Sequence, residues 1–88
     1  MGMEMFGVPV NVTESTVIKK LPGQVCGFYV NSTTGGTIIF YDAATAVTTT
    51  PVSGTITPVI GWHAFPASMR TGCYVVIANT LNVTIFTQ

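Results

Sequence analysis

Charged residues are the first thing that this sequence lacks. Its 88 residues include three basic and three acidic side chains, a charged fraction of 7% with a formal net charge of zero. Soluble domains are ordinarily about 25% charged, and a net charge near zero favours association. Nucleic-acid binding needs clustered Lys and Arg to neutralise phosphates, and only Lys19, Lys20 and Arg70 are present. The composition therefore argues against a nucleic-acid partner and indicates an exterior that copies of this chain or other chains cover.

Long apolar runs are also absent. The longest, residues 73–78, has six residues, whereas a membrane-spanning helix needs about 20, so we expect no membrane partner. The N-terminus has no basic region followed by a continuous apolar segment, and we expect no signal peptide. Cys26 and Cys73 permit one disulfide, but without an export signal we expect both to be free thiols.

Groups that perform chemistry are scarce. There is one His, with two Cys and three acidic residues, and no two of these have the spacing of metal ligands, so we expect no metal and no cofactor. His63 is the only general base near neutral pH, and no Gly-x-Ser-x-Gly motif accompanies it. Its neighbours Trp62 and Phe65 favour a packed or interfacial histidine. Asp42 follows a predicted strand, where its expected role is to cap the next turn. We predict that the protein is not an enzyme.

β-Branched residues dominate what is present. Thr, Val and Ile number 15, 12 and 7, and such residues favour strands. Gly and Pro recur at the spacing of short strands joined by turns. We predict strands at 15–21, 25–30, 37–41, 55–60, 73–78 and 82–87, with a turn at 31–36, a Thr-rich loop at 43–53, an irregular segment at 61–72 and a closing hairpin across 79–81. Residues 15–88 would then form a single domain, a small antiparallel β-sandwich or barrel of about six to seven strands.

Alternation along these strands predicts the core. The expected core residues are Phe28, Val30, Ile38, Phe40, Val76, Val83 and Ile85. The 37–41 strand is apolar on both faces, because Ile39 and Tyr41 point away from the core residues between them, whereas a strand facing solvent would alternate with polar residues. We therefore predict that Ile39 and Tyr41 face a partner.

Residues 1–14 form an extended N-terminal arm in this interpretation, and Pro9 limits the segment 8–12 to an edge strand or an extended arm. The arm is too apolar for a free tail, and Met side chains adapt to irregular partners. Trp62 and Phe65 have three possible roles: to plug an open end of the core, to contact a subunit, or to form a glycan platform. The predicted assembly interface consists of Met1, Met3, Met5, Phe6, Val8, Val10, Ile39, Tyr41, Trp62 and Phe65.

The segment from about residue 20 to the C-terminus carries an ordered set of motifs. They are Pro22-Gly23, Gly27-Phe28-Tyr29-Val30-Asn31, Gly36-Thr37-Ile38-Ile39-Phe40-Tyr41-Asp42, Ala64-Phe65, Thr71-Gly72-Cys73-Tyr74-Val75-Val76 and Asn82-Val83-Thr84-Ile85-Phe86. In order and spacing this segment, about 70 of the 88 residues, resembles the small all-β virion structural proteins of tailed bacteriophages, of the head-decoration or fibre-base type. The Thr-rich loop departs from the more charged loop of that family, and residues 1–14 lie outside the match.

This resemblance implies a non-enzymatic component of the virion, assembled in the cytoplasm of the bacterial host. It implies a homo-oligomer, expected to be a trimer, that decorates or stabilises the capsid or its neck by binding the major capsid or neck proteins. Two alternatives remain open. One is a component of the tail or fibre, and the other is a receptor- or glycan-binding module that uses Trp62 and Tyr41.

Overall fold

The computed structural model describes residues 7–88, and these form one antiparallel sheet of five strands without a helix. The strands are β1 (Val8–Val12), β2 (Thr16–Lys19), β3 (Gly23–Tyr41), β4 (Gly61–Met69) and β5 (Cys73–Thr87). Their order across the sheet is β1-β5-β3-β4, and β2 pairs with the beginning of β5 on the same edge as β1. The predicted all-β antiparallel fold is confirmed.

Two strands are longer than predicted, because each joins two of the expected strands. β3 has 19 residues and continues through the predicted turn at 31–36, and β5 has 15 residues and continues through 79–81. The pairing of β3 with β5 shifts register between Val30 and Ser32 and again between Thr34 and Gly35. The predicted closing hairpin was therefore wrong, and the strands number five instead of six or seven.

At the second of these shifts the ribbon formed by β3 and β5 turns a corner. Gly35 and Asn79 have φ angles of 64° and 62°, a region open to Gly and tolerated by Asn, and Asn79 Nδ2 donates to the Gly35 carbonyl at 2.9 Å. Gly36 is buried, and a Cβ built there would lie 2.4 Å from the Thr80 carbonyl oxygen. Only glycine permits this approach of the two strands. The turn signals of the sequence thus mark a bend within two long strands.

The bend folds β3 back on itself, and the core lies between its two halves. Phe28 and Phe40 would be about 40 Å apart on a straight strand, yet their ring centroids are 5.6 Å apart. The largest fully buried side chains are Phe28, Phe40, Ile38, Leu81, Ile85, Val25, Val30, Val75, Val83 and Cys73. The predicted core is confirmed except for Val76. Val75 is buried in its place because it pairs with Phe40 and so shares the inner face.

The edge strand β4 occupies a segment that we predicted to be irregular. It pairs along the first half of β3, and its position at the sheet edge accommodates Pro66, which has no N–H to donate. The predicted strand at 55–60 was wrong. That segment contributes only an isolated bridge between Ile56 and Ile38.

Candidate functional site

The described residues of the predicted assembly interface do not lie together. Met1, Met3, Met5 and Phe6 fall outside the residues that the structure describes. Val8 and Val10 lie on β1, Ile39 and Tyr41 on the second half of β3, and Trp62 and Phe65 on β4. The described members therefore belong to different surfaces, which need separate descriptions.

The inner face of the sheet is left open at its β1 edge. Val10 pairs with Ile85 and Val12 pairs with Val83, so β1 directs Val8, Val10 and Val12 to the core side of the sheet. Val12 is only 4% exposed, whereas Val10 is 37% and Val8 58% exposed. We call these three residues the β1 strip. It begins inside the core and ends in solvent.

The outer face of the second half of β3 is apolar, as predicted from its alternation. Ile39 pairs with Val76 and Tyr41 pairs with Tyr74, and the two tyrosine rings lie 6.0 Å apart between centroids. All four side chains are half-buried, and Tyr41 also forms a bridge with Pro51 of the long loop between β3 and β4. The bridge extends the sheet beside Tyr41, and the outer face itself stays half-exposed.

Phe65 and His63 pack against the core from β4. The Phe65 ring stacks on Phe40 with a centroid separation of 4.6 Å and meets Phe28 edge-on at 6.4 Å. The His63 ring lies 5.2 Å from that of Phe28. Its Nε2–H donates to the Val59 carbonyl, 2.7 Å away. In this arrangement Phe65 closes the core at the β4 edge, and the histidine has a packing role.

Trp62 lies on the outer face of β4, opposite Tyr29 of β3. Each of these two side chains is 44% exposed, and we call them the aromatic pair. The indole lies against Gly27, where a Cβ would be 2.6 Å from Trp62 Cη2, so the missing side chain makes room for the ring. The indole also meets Phe86 edge-on at 5.5 Å. The exposed aromatic neighbour of Trp62 is thus Tyr29 and not Tyr41.

Uncharged polar side chains form a network beside the aromatic pair, on the same face. Thr84 pairs with Tyr29, and Asn11 pairs with Thr84. Asn82 Oδ1 accepts hydrogen bonds from Asn11 Nδ2 at 2.8 Å and from Asn31 Nδ2 at 3.2 Å. Thr84 Oγ1 accepts from Asn31 Nδ2 at 3.0 Å. We call this network the amide network, and it was not predicted from the sequence. Alternation along β3 does place Tyr29 on the face opposite Phe28 and Val30, but it gives no sign of the pairing with Trp62.

Asp42 holds the turn between β4 and β5. Its carboxylate accepts backbone N–H bonds from Arg70 at 2.9 Å, Thr71 at 2.8 Å and Gly72 at 3.4 Å. These bonds, with a smaller contribution from the Arg70 charge, lower the pKa of Asp42. The predicted cap of the next turn was therefore wrong, because the capped turn lies 28 residues further along.

Both cysteines are free, and burial, with a contribution from Asp42, raises the pKa of the Cys73 thiol to about 12.

Within residues 7–88 no group of three His, Cys, Asp or Glu side chains is placed to bind a metal ion. The same part of the chain contains no helix that is long and apolar enough to span a membrane. The chain matches no protein-family model, and comparison with curated proteins and with solved structures found no significant match.

Proposed function

We propose that this protein is a non-enzymatic structural component of a tailed-phage particle, which assembles as a homo-oligomer on the capsid or its neck. The observation that carries the proposal is the β1 strip. Val8 and Val10 continue the apolar inner face of the sheet into solvent, at 58% and 37% exposure. Removing apolar surface from water is the main driving force of protein association. An apolar surface from a second chain, placed over the strip, would extend the core across the contact.

The free energy available from the strip is limited. Fully burying a Val side chain contributes about 1.5–3 kcal/mol, and the exposed fractions of Val8 and Val10 together amount to about one such side chain. Micromolar association needs about 8 kcal/mol after association costs. We propose that Met1, Met3, Met5 and Phe6, which precede β1 in the sequence, supply the remaining apolar area.

The distribution of charge supports the same interpretation. Lys19 pairs with Cys73 at the start of β5, and Asp42 bonds to the turn that contains Arg70. Gly72 of that turn lies against the Lys19 carbonyl, so these charges gather at one end of the sheet. The three valines of the β1 strip carry no charge, so burying them at a contact would desolvate no ion.

The resemblance of residues 20–88 to phage virion proteins supports the assignment to a particle. The expected form is a trimer that binds the major capsid or neck proteins. Location in the tail or fibre is the alternative within the same class.

Sedimentation velocity tests the proposal. The unmodified chain should sediment as an oligomer, and a Val8→Asp/Val10→Asp double variant should sediment as a monomer, because each Asp would have to be desolvated at the contact. Val47→Asp is the matched control, since Val47 is 44% exposed but lies on the long loop. A monodisperse monomer for the unmodified chain would contradict self-assembly. Equal assembly of the double variant would exclude the β1 strip.

A truncation that removes residues 1–6 tests the contribution of the N-terminus to attachment. It must stop before β1, because Val12 is part of the core. The truncated chain should cosediment less with capsids than the full chain does, while its circular dichroism spectrum stays the same. Equal cosedimentation would exclude an attachment role for these residues.

A further inference from the structure

We propose that the outer face of the sheet carries a second site, which binds a neutral oligosaccharide on the aromatic pair and the amide network. Along β1 the side chains alternate between the two faces, so Asn11 of the network and Val10 of the β1 strip point to opposite sides. The site is therefore separate from the proposed assembly surface, and the two can be tested independently.

The aromatic pair provides the stacking surface. The C–H groups on one face of a pyranose ring carry a small positive charge and are attracted to the negative face of an aromatic ring. Trp62 is held in place by Gly27 beneath it and by the edge of Phe86 at 5.5 Å. Little side-chain entropy is therefore lost when a ligand binds. Tyr29 lies on the neighbouring strand, about 4.8 Å away, and extends the surface.

The amide network provides the polar contacts. Its hydrogen bonds use Nδ2 of Asn11 and Asn31 and Oδ1 of Asn82. The opposite ends of these amides, two oxygens and one nitrogen, take no part in those bonds. Thr84 Oγ1 accepts from Asn31, so its own proton is directed elsewhere. A sugar hydroxyl both donates and accepts, which suits a surface that offers donors and acceptors side by side.

Charge and size narrow the ligand class. The row formed by Asn11, Thr84, Tyr29 and Trp62 crosses four strands, a width of about 14 Å. This width suits two to three sugar units. None of these side chains is charged, so the surface offers nothing to attract an anionic sugar. A protein partner would also suit Tyr and Trp, but an apolar contact would bury the amide ends that take no part in the network, at a cost for each one.

Trp62 is the only tryptophan of the chain, so its fluorescence reports on this site alone. An immobilised array of neutral and acidic oligosaccharides should show binding to neutral members only. Titration of the best neutral oligosaccharide should give a saturable change in the Trp62 emission. Calorimetry with Trp62→Ala or Tyr29→Ala should then show at least a tenfold loss of affinity, and Asn82→Ala a smaller loss. Val59→Ala is the matched control, because Val59 is 71% exposed and precedes Trp62 by three residues in the sequence but contributes no ring.

Three results would overturn the proposal. One is the absence of binding to any sugar on the array. Another is binding that Trp62→Ala and Tyr29→Ala leave unchanged while both variants remain folded by circular dichroism. The third is a change in sedimentation, without sugar binding, when Trp62 is replaced, which would make this face a protein contact. The Val8→Asp/Val10→Asp variant should keep the affinity of the unmodified chain for the sugar, so failure of one proposal leaves the other standing.

Discussion

Substitution of Gly36 by Ala tests the corner on which the two halves of the core depend. The added Cβ would lie 2.4 Å from the Thr80 carbonyl oxygen, 2.6 Å from Leu81 Cβ and 2.9 Å from Thr33 Oγ1. The first of these atoms belongs to the backbone of β5 and cannot rotate away. The two strands must therefore separate at the point where the ribbon bends.

The expected cost is about 3 kcal/mol, at the upper end of the usual range for overpacking. Separation at the corner also loosens the contact between Phe28 and Phe40, whose centroids are 5.6 Å apart. A chain of this length has a free energy of unfolding of about 4–13 kcal/mol. The substitution should lower Tm by roughly 12–24 °C.

Two other glycines are matched controls. Gly35 has a φ of 64°, but a Cβ built there would meet no heavy atom within 4 Å. Gly35→Ala should therefore cost only the strain of a left-handed Ala, about 1–2 kcal/mol. Gly54 has no positive φ, and a Cβ built there would lie in open space. Gly54→Ala should be neutral or should stabilise the protein by about 0.4–1 kcal/mol, because Ala lowers the conformational entropy of the unfolded chain.

Urea denaturation, followed by Trp62 fluorescence at one protein concentration, measures all three variants. The expected order of destabilisation is Gly36→Ala, then Gly35→Ala, then Gly54→Ala. If Gly36→Ala were no more destabilising than Gly35→Ala, the close approach of β3 and β5 at the corner would be refuted.

Three further predictions concern single side chains. Asp42→Asn should destabilise the protein by about 1 kcal/mol at pH 7. Folding lowers the pKa of Asp42 from its unfolded value of 3.8. The stability that its carboxylate contributes is therefore present above pH 3.8 and is lost as the pH falls through the lower pKa of the folded state. The difference between the urea midpoints of the unmodified chain and the variant should therefore be smaller at pH 2 than at pH 7. The same difference at both pH values would contradict this. Ellman's reagent should react with Cys26 but not with Cys73 in the native protein, and with both in urea; fast native labelling of Cys73 would contradict its raised pKa. Gly27→Ala should displace Trp62, shift its emission to the red and weaken sugar binding at least fivefold, and an unchanged emission would show that the ring does not rest on this glycine.

The fold class and most of the core were predictable because both depend on local patterns. The abundance of β-branched residues predicts strands, and alternation selected Phe28, Ile38 and Phe40 correctly. The bend was not predictable in this way. Gly35 and Asn79 adopt positive φ, and the same backbone geometry serves a chain reversal or a corner within a strand. The choice is made by the pairing of β3 with β5, which is distant in sequence.

The aromatic pair and the amide network were also not predictable from local patterns, because each joins residues that are distant in sequence. Trp62 was identified as an exposed aromatic residue, but its neighbour Tyr29 follows from the register between β3 and β4. The amide network joins Asn11 and Asn82, which are 71 residues apart. Neither pairing has a local signal. The interpretation of 61–72 as irregular failed because tertiary pairing with β3 overrides the poor strand propensity around Pro66.

The position of β5 in the sheet also determines when the protein can fold during its synthesis. β5 follows the other four strands in the sequence, yet β1, β2 and β3 all pair with it. Among the strands of residues 7–88, only β3 and β4 can form their ladder before β5 leaves the ribosome. Pairing this remote in sequence also slows folding, so newly made chains expose their Val-rich strands to one another for longer. A cell that makes this protein rapidly therefore risks aggregation of nascent chains, and slower translation or a lower temperature should increase the soluble yield.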